Sequence, residues 1–173
     1  MDVILEMLKY ILPSVVVFAT AYYLVKKFLE SENKKRLLEL RMANQSNVTP
    51  IRLQAYERIA LFLERISPTN LIMRINKSGM NSSQLQLELI KNIRSEFEHN
   101  LSQQIYMSNA AWEMVKTAKE EVIKLVNIAG TKVSNGASGN DLAQAIIEIS
   151  LQVEKLPTQM AIEYMKREIA QNF

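Results

Sequence analysis

The stretch YILPSVVVFATAYYLV, residues 10–25, is a run of sixteen consecutive residues without a charge, close to the N-terminus. A helix that crosses a bilayer needs about 20 apolar residues. Flanking lysines extend a slightly short run, because their apolar stems lie along the helix while their ammonium groups reach the interface. The sequence therefore predicts a transmembrane helix over residues 10–28, in contact with the lipid bilayer. Its interface side chains are predicted to be Lys9, Tyr10, Tyr22, Tyr23, Lys26 and Lys27.

Two other interpretations of this run stay open. Ala19-Thr20-Ala21 has the small-x-small form of a signal-peptide cleavage site. The segment before the run is not clearly basic, however, and the apolar residues continue past Ala21 as far as two lysines. A buried helix of a soluble core also permits a run of this length. The uncleaved anchor is the favoured interpretation.

Charge is distributed unevenly along the chain, and this asymmetry predicts an orientation. Residues 26–65 carry nine basic and five acidic side chains, whereas residues 66–173 carry eleven of each. Lys and Arg close to a membrane span favour the cytoplasmic side. We therefore expect a single-pass protein of a bacterial inner membrane with its N-terminus outside. The predicted organisation is a short extracytoplasmic N-terminus (1–9), the transmembrane helix (10–28), a juxtamembrane helical stalk and linker (29–48) and a cytoplasmic helical domain (49–173).

The chain after the anchor has an all-α pattern. Only four glycines and four prolines occur in the whole sequence, and no segment alternates with the period of a half-buried strand. The apolar spacing predicts a compact bundle of about four to five amphipathic helices. We expect a polar break over residues 44–50, an apolar connector over 70–75, a cap at Ser82 or Ser83, a helix end at Gly130, a flexible segment over 134–140, and an apolar stripe that continues through Val153 and Leu156 to a break at Pro157.

The stalk has only weak coiled-coil character. Leu24, Phe28, Leu37 and Leu40 are apolar, but Glu32 and Lys35 interrupt the heptad register. A stable coiled coil needs three or four regular heptads. A solvated stalk is therefore favoured over a dimer zipper.

The residue types present argue against several classes of chemistry. The chain has no cysteine, which excludes thiol catalysis and thiolate metal sites, and His99 is its only histidine. Glu96 lies three residues before His99, the ordinary spacing of neighbours on a helix surface. Glu120 and Glu121 are adjacent and therefore diverge by roughly 100° on a helix. We expect no catalytic residue, metal ligand, cofactor or small-molecule substrate.

Partner binding is the remaining class of function. The basic residues after the anchor alternate with acidic ones and lack aromatic neighbours that could stack on bases, so nucleic-acid binding is not expected. A protein partner or self-association is expected instead. Aromatic side chains are typical of interface centres, although the apolar stripe around Trp112 favours core packing for that residue. The candidate partner-binding residues are Tyr106, Trp112 and Phe173.

Three segments carry a resemblance to a known family. They are residues 52–58 (RLQAYER), 61–68 (LFLERISP) and 96–106 (EFEHNLSQQIY). Together with the apolar N-terminus, they resemble an uncharacterised family of short membrane-anchored proteins of the Bacteroidetes type. The resemblance covers most of the chain. It implies a bacterial inner membrane and no known activity.

Three functions therefore stand as hypotheses. A membrane-tethered helical interaction or scaffold module is favoured, since the sequence combines an anchor with amphipathic helices. A stalk subunit of a membrane complex, similar to the peripheral stalk of an ATP synthase, is less favoured because Pro50, Pro68, Gly79 and Pro157 interrupt the chain. An all-α enzyme that uses carboxylates and a metal is the third alternative, since helical bundles can hold such sites in their cores.

Overall fold

A computed structural model describes residues 2–134 and 136–172 of the chain. Their backbone is helical and contains no strand, which confirms the all-α prediction. The chain divides into two units, 1–48 and 49–173. The elements are α1 (Asp2–Arg65), α2 (Pro68–Ile75), α3 (Ser82–His99), a 3-10 helix (Leu101–Tyr106), α4 (Asn109–Lys132), α5 (Gly139–Leu151) and α6 (Pro157–Asn172).

The first unit contains a helical segment that is long and apolar enough to cross a membrane. This segment is Lys9–Leu40, with a mean hydropathy of 1.4, and none of its apolar window is buried. Its apolar side chains, such as Phe18 and Val17, are instead exposed. One candidate membrane-crossing helix therefore lies near the N-terminus.

The predicted break at residues 44–50 is wrong, because the backbone is helical there. A polar run without glycine lowers helix stability by only a few tenths of a kcal/mol per residue. Pro50 removes one N–H donor and costs about 3 kcal/mol in a helix interior. The fully buried Tyr56 and Ile59, which follow it, offset that cost through tertiary packing.

The second unit is a helical bundle around one hydrophobic core. The last four turns of α1 contribute the buried residues Tyr56, Ile59 and Leu63, as the 3.6-residue spacing predicts, whereas two residues of the same predicted stripe differ: Leu53 is 37% exposed and Ala60 is half-buried. Helices α3 to α6 add buried aliphatic side chains to the same core. The largest fully buried residues include Tyr56, Ile59, Phe62, Leu63, Leu85, Leu89, Ile93, Leu142 and Ile146.

Helix α2 occupies the segment that the sequence predicts to be a connector. Its first residue is Pro68, and Leu71 and Ile72 are buried. Proline is favoured at the first helical position, because the N–H that it lacks would have no partner there. The Ser67-Pro68 pair therefore ends α1 and also begins α2, and the connector prediction is wrong.

The α2–α3 and α4–α5 loops share two local features, a glycine at positive φ and a capping box. Gly79 and Gly136 adopt φ angles of +88° and +87°. Two residues later each loop forms a reciprocal capping box, Asn81 with Gln84 and Ser138 with Asp141. The cap of α3 is therefore Asn81, and the prediction of Ser82 or Ser83 is wrong by one or two residues. A capping box satisfies backbone donors that the first helical turn leaves unpaired.

The two loops also pair with each other. The Ser82 N–H donates to the carbonyl of Ala137 at 2.9 Å, and the Gly139 N–H donates to the carbonyl of Met80 at 2.8 Å. An added Cβ on Gly139 would lie 3.1 Å from the Met80 carbonyl oxygen, so a glycine allows this close approach. The loop pairing joins the starts of α3 and α5.

Substitution of either positive-φ glycine by alanine should destabilise the second unit. We expect Gly79→Ala and Gly136→Ala each to lower the free energy of unfolding by about 1–2 kcal/mol, because L-residues are disfavoured in the left-handed region. Apart from the glycine and its chain neighbours, no atom of the described residues lies within 4 Å of an added Cβ at either position, so the cost is a backbone cost. Chemical denaturation of the full-length protein measures it.

Gly130→Ala is the matched control for these two substitutions. Gly130 lies inside α4 at ordinary helical φ, and the predicted helix end at this residue is wrong. An added Cβ would lie 2.5 Å from Oε1 of Gln86 and displace that flexible side chain. The gain in helix propensity, about 1 kcal/mol, offsets this displacement. Equal losses in all three variants would contradict a specific role for positive φ.

The C-terminal elements differ from the prediction at one boundary. Helix α5 ends at Leu151, and Val153 is 44% exposed, so the apolar stripe does not continue through Val153. Leu156 is half-buried. Pro157 disfavours helical backbone in the residue before it and is well suited to the first position of α6. A short irregular segment therefore follows α5, and α6 begins at the proline.

Candidate functional site

The predicted membrane-interface side chains all lie in α1 and are exposed. The Lys27 ammonium lies 3.3 Å from Oε2 of Glu30 and 5.9 Å from the ring centroid of Tyr23. Such contacts between neighbouring turns are compatible with either water or a headgroup layer. The interface assignment therefore stays a prediction for Lys9, Tyr10, Tyr22, Tyr23, Lys26 and Lys27.

Trp112 lies in an aromatic cluster of the core and is only 7% exposed. Its ring stacks on Phe97 with centroids 5.4 Å apart, and Phe97 also contacts Phe62 at a centroid distance of 5.9 Å. The Lys119 ammonium lies 4.4 Å from the Phe97 centroid, a cation–π geometry. Trp112 therefore packs inside the bundle, and its indole offers little free surface to a partner.

Tyr106 is the exposed member of the predicted partner-binding set. It ends the 3-10 helix, and its backbone carbonyl accepts a hydrogen bond from Nε of Arg52 at 3.1 Å. Leu101 and Ile105 of the same helix are also exposed. Phe173 lies outside the described residues. Tyr106 therefore lies on the surface, whereas Trp112 is buried in the core.

The Glu96–His99 pair does not form a catalytic arrangement. Oε1 of Glu96 accepts hydrogen bonds from Nε of Arg65 and from Arg74, each at 3.0 Å. His99 is exposed at the end of α3. The Glu96 carboxylate therefore joins the ends of α1 and α2 to α3 instead of orienting an imidazole.

The adjacent carboxylates Glu120 and Glu121 bind different lysines. Glu120 pairs with Lys119 at 2.7 Å, and Glu121 pairs with Lys124 at 3.5 Å. Within residues 2–134 and 136–172, no three His, Asp or Glu side chains lie close enough together to hold a metal ion.

A half-buried carboxylate, Glu168 of α6, joins three elements of the bundle. Its Oε1 accepts a hydrogen bond from the hydroxyl of Tyr56, and its Oε2 accepts one from the hydroxyl of Ser108, both at 2.9 Å. Ser108 is also the N-cap of α4 and accepts from the N–H of Ala111 at 3.0 Å. Sequence analysis missed this cluster because its members are far apart in the chain. Burial, and then the Glu168 hydrogen bond, raise the pKa of the Tyr56 hydroxyl.

Replacement of Tyr56 by phenylalanine should change both the stability of the protein and the dependence of that stability on pH. The unfolded chain ionises its tyrosines near pH 10, below the raised pKa of folded Tyr56. The contribution of the Tyr56 hydroxyl to the free energy of unfolding is therefore fully present below about pH 10, and it is lost as the pH rises through the folded pKa. We expect Tyr56→Phe to lower the free energy of unfolding by about 1.5–2 kcal/mol at neutral pH. The variant should also lack the part of the alkaline loss of stability that ionisation of Tyr56 causes in the wild type.

Denaturation of the full-length protein between pH 7 and pH 11 measures both effects. Tyr106→Phe is the control, because its side chain is exposed and we expect a change below about 0.5 kcal/mol. A Tyr56→Phe variant with the stability and the alkaline profile of the wild type would show that the hydroxyl makes no net contribution.

An open groove lies between α4, α6 and the segment that connects α5 to α6. Its cavity volume is about 530 Å³. Two methionines and four charged side chains surround it, and sequence analysis did not identify them as a set. The available signal was the outward face of α6, where Met160, Glu163 and Arg167 recur at helical spacing. The groove is lined by Met114, Lys155, Met160, Glu163, Lys166 and Arg167.

These features define an all-α protein with one candidate membrane-crossing helix near its N-terminus and a compact helical bundle after it. The chain belongs to the family of unknown function DUF7935, which matches residues 2–172. This match confirms the prediction of an uncharacterised family. No curated protein and no solved structure matches the chain.

Proposed function

We propose that the protein is a membrane-tethered helical interaction module. A single observation carries this proposal: the apolar window within Lys9–Leu40 is entirely unburied. Apolar surface of this extent is unfavourable in water, at about 25 cal/mol per Å², and needs either a bilayer or a protein to cover it. Both the length and the flanking lysines favour the bilayer.

The proposed orientation places the N-terminus outside and residues 49–173 in the cytoplasm of a bacterial cell. Lys26, Lys27, Lys34, Lys35 and Arg36 follow the apolar run within the distance over which basic residues set topology. Only Lys9 precedes it, together with Asp2 and Glu6. The difference supports retention of the C-terminal side in the cytoplasm of the inner membrane.

The absence of cysteine permits a direct test of this orientation. Asp2→Cys and Lys91→Cys each introduce the only thiol of the chain, and the wild type is the unlabelled control. A membrane-impermeant maleimide should label residue 2 in intact spheroplasts, and residue 91 only after lysis. The reverse pattern would overturn the orientation, and so would labelling of both residues in intact spheroplasts, which would place both of them outside.

The interaction role is supported by the surface of the second unit. Ile105 and Tyr106 are exposed together on the 3-10 helix, and the groove between α4 and α6 combines apolar and cationic side chains. Exposed apolar groups bordered by polar ones are typical of protein-binding surfaces. A module of this kind holds a partner, or copies of itself, near the bilayer.

Affinity purification of the full-length protein after crosslinking in its native cells tests this role. We expect a stoichiometric partner, or a defined homo-oligomer, that requires residues 49–173. A truncated chain that keeps residues 1–48 is the control for association through the apolar helix. Recovery of an uncrosslinked monomer, or equal capture by the truncated chain, would contradict an interaction role for the helical bundle.

A further inference from the structure

The groove between α4 and α6 has a floor and a rim of different chemistry. Met114 of α4 is half-buried and packs against the core, while Met160 of α6 is 46% exposed. Methionine side chains are flexible and polarisable, and they adapt to irregular apolar partners. The floor of the groove can therefore accommodate an apolar side chain that it does not itself contain.

The rim of the groove carries an excess of positive charge. Lys155 and Glu163, which both line the groove, form an ion pair with each other. Lys166 and Arg167 form no ion pair with any other residue of the described chain. The groove lining thus holds three basic side chains and one acidic side chain, whereas acidic and basic residues are equal in number over residues 66–173.

The shape and lining of the groove distinguish between its possible occupants. A lipid acyl chain needs an enclosed apolar cavity, whereas this groove is open and four of its six lining residues are charged. A flat membrane surface does not enter a concave site. A polypeptide segment with one or two apolar side chains and neighbouring carboxylates matches both the methionines and the unpaired cations. Complementary charge of this kind also favours specific association.

We propose that this groove docks an acidic amphipathic segment of a partner protein. An apolar side chain of the segment enters between Met114 and Met160, and its carboxylates pair with Lys166 and Arg167. Arginine binds a carboxylate in a bidentate manner, which fixes the orientation of the segment. This inference deepens the proposed interaction function and rests on it, since it specifies the partner's chemistry.

The test is a selection from an unbiased display library of 16-residue peptides. The target is the full-length protein in nanodiscs of zwitterionic lipid, and the double variant Lys166→Glu with Arg167→Glu is the comparison. The matched control is Lys91→Glu with Lys124→Glu, which makes the same change in net charge at exposed residues outside the groove. Binding of the selected peptides is then measured at low and high salt.

We expect the selected peptides to be enriched in Asp and Glu next to Leu, Ile or Phe. Their affinity should fall at least about tenfold for the groove variant, remain within about twofold for the control, and weaken with salt. Met160→Ser should reduce the affinity without any change in charge. Three results would overturn the inference. The selected peptides could lack acidic enrichment, or the control variant could lose as much peptide affinity as the groove variant. The third is that the groove binds anionic vesicles instead of peptides.

Crosslinking in cells separates this inference from the broader function. A partner that is captured equally by the wild type and by the groove variant, but lost with residues 49–173, would overturn the groove and leave the interaction role intact. Loss of the partner in the groove variant, but not in the control variant, supports both the groove inference and the interaction role. Circular dichroism of the variant confirms that its helices are retained.

Discussion

The double substitution Val16→Arg and Ala19→Arg is expected to release the protein from the membrane fraction. The two residues lie three apart, on one side of the uncharged run, and both are exposed. Each arginine at the centre of a span costs about 2.5–3.5 kcal/mol on insertion scales. Together they lower the insertion equilibrium by more than about a thousandfold. Fractionation after alkaline washing measures the change.

The control places the same charges further along α1. Leu37→Arg with Leu40→Arg adds two arginines outside the predicted span of residues 10–28, where basic residues already occur. This variant should remain in the membrane pellet. Persistence of the first variant in the pellet would show that the apolar run is not what retains the protein. The intact mass of the wild type decides whether cleavage follows Ala21.

Truncation of Trp112 is expected to cause the largest loss of stability within the bundle. Its indole is almost fully buried against Phe97. Removal of a buried tryptophan leaves a cavity and typically costs about 3–5 kcal/mol. We therefore expect Trp112→Ala to lower the Tm of the full-length protein by on the order of 10–20 °C. Thermal denaturation followed by circular dichroism measures this shift.

Ile105→Ala is the matched control for Trp112→Ala. Ile105 is 75% exposed, so its truncation should change the free energy of unfolding by less than about 0.5 kcal/mol. The pair separates core packing from partner binding. A Trp112→Ala variant that keeps its stability but loses its partner would contradict the packing role.

Helical periodicity predicted the parts of the fold that depend on local sequence. The 3.6-residue spacing predicts one buried stripe from Tyr56 to Ile66 and a second one of Leu85, Leu89, Ile93, Phe97 and Leu101. The first is buried except for the half-buried Ala60, and the second is buried as far as Ile93, whereas Phe97 is half-buried and Leu101, beyond the end of α3, is 43% exposed. Ser108 also caps α4, because its hydroxyl accepts a hydrogen bond from the N–H of Ala111. These features follow from the spacing of apolar residues and from capping side chains that lie within one helical turn.

The features that the sequence did not predict depend on contacts between distant residues. Gly130 is a residue type that is typical of helix ends, yet it lies inside α4 beside the Gln86 side chain of another helix. The Glu168 cluster and the α4–α6 groove each combine residues separated by more than forty positions, such as Ser108 with Glu168. A single sequence contains no periodic signal for such pairs. Pro68 shows a further difficulty, because one proline can end one helix or begin the next.

The pairing of the α2–α3 and α4–α5 loops has a consequence for how the bundle opens. Each loop supplies one donor and one acceptor to the other, through Ser82 with Ala137 and Gly139 with Met80. Separation of the loops therefore leaves two donors and two acceptors without their partners at once. Neither the α2–α3 pair of helices nor the α4–α5 pair can open at its loop without the loss of both hydrogen bonds. Two segments that are distant in sequence thereby become one cooperative unit of local unfolding.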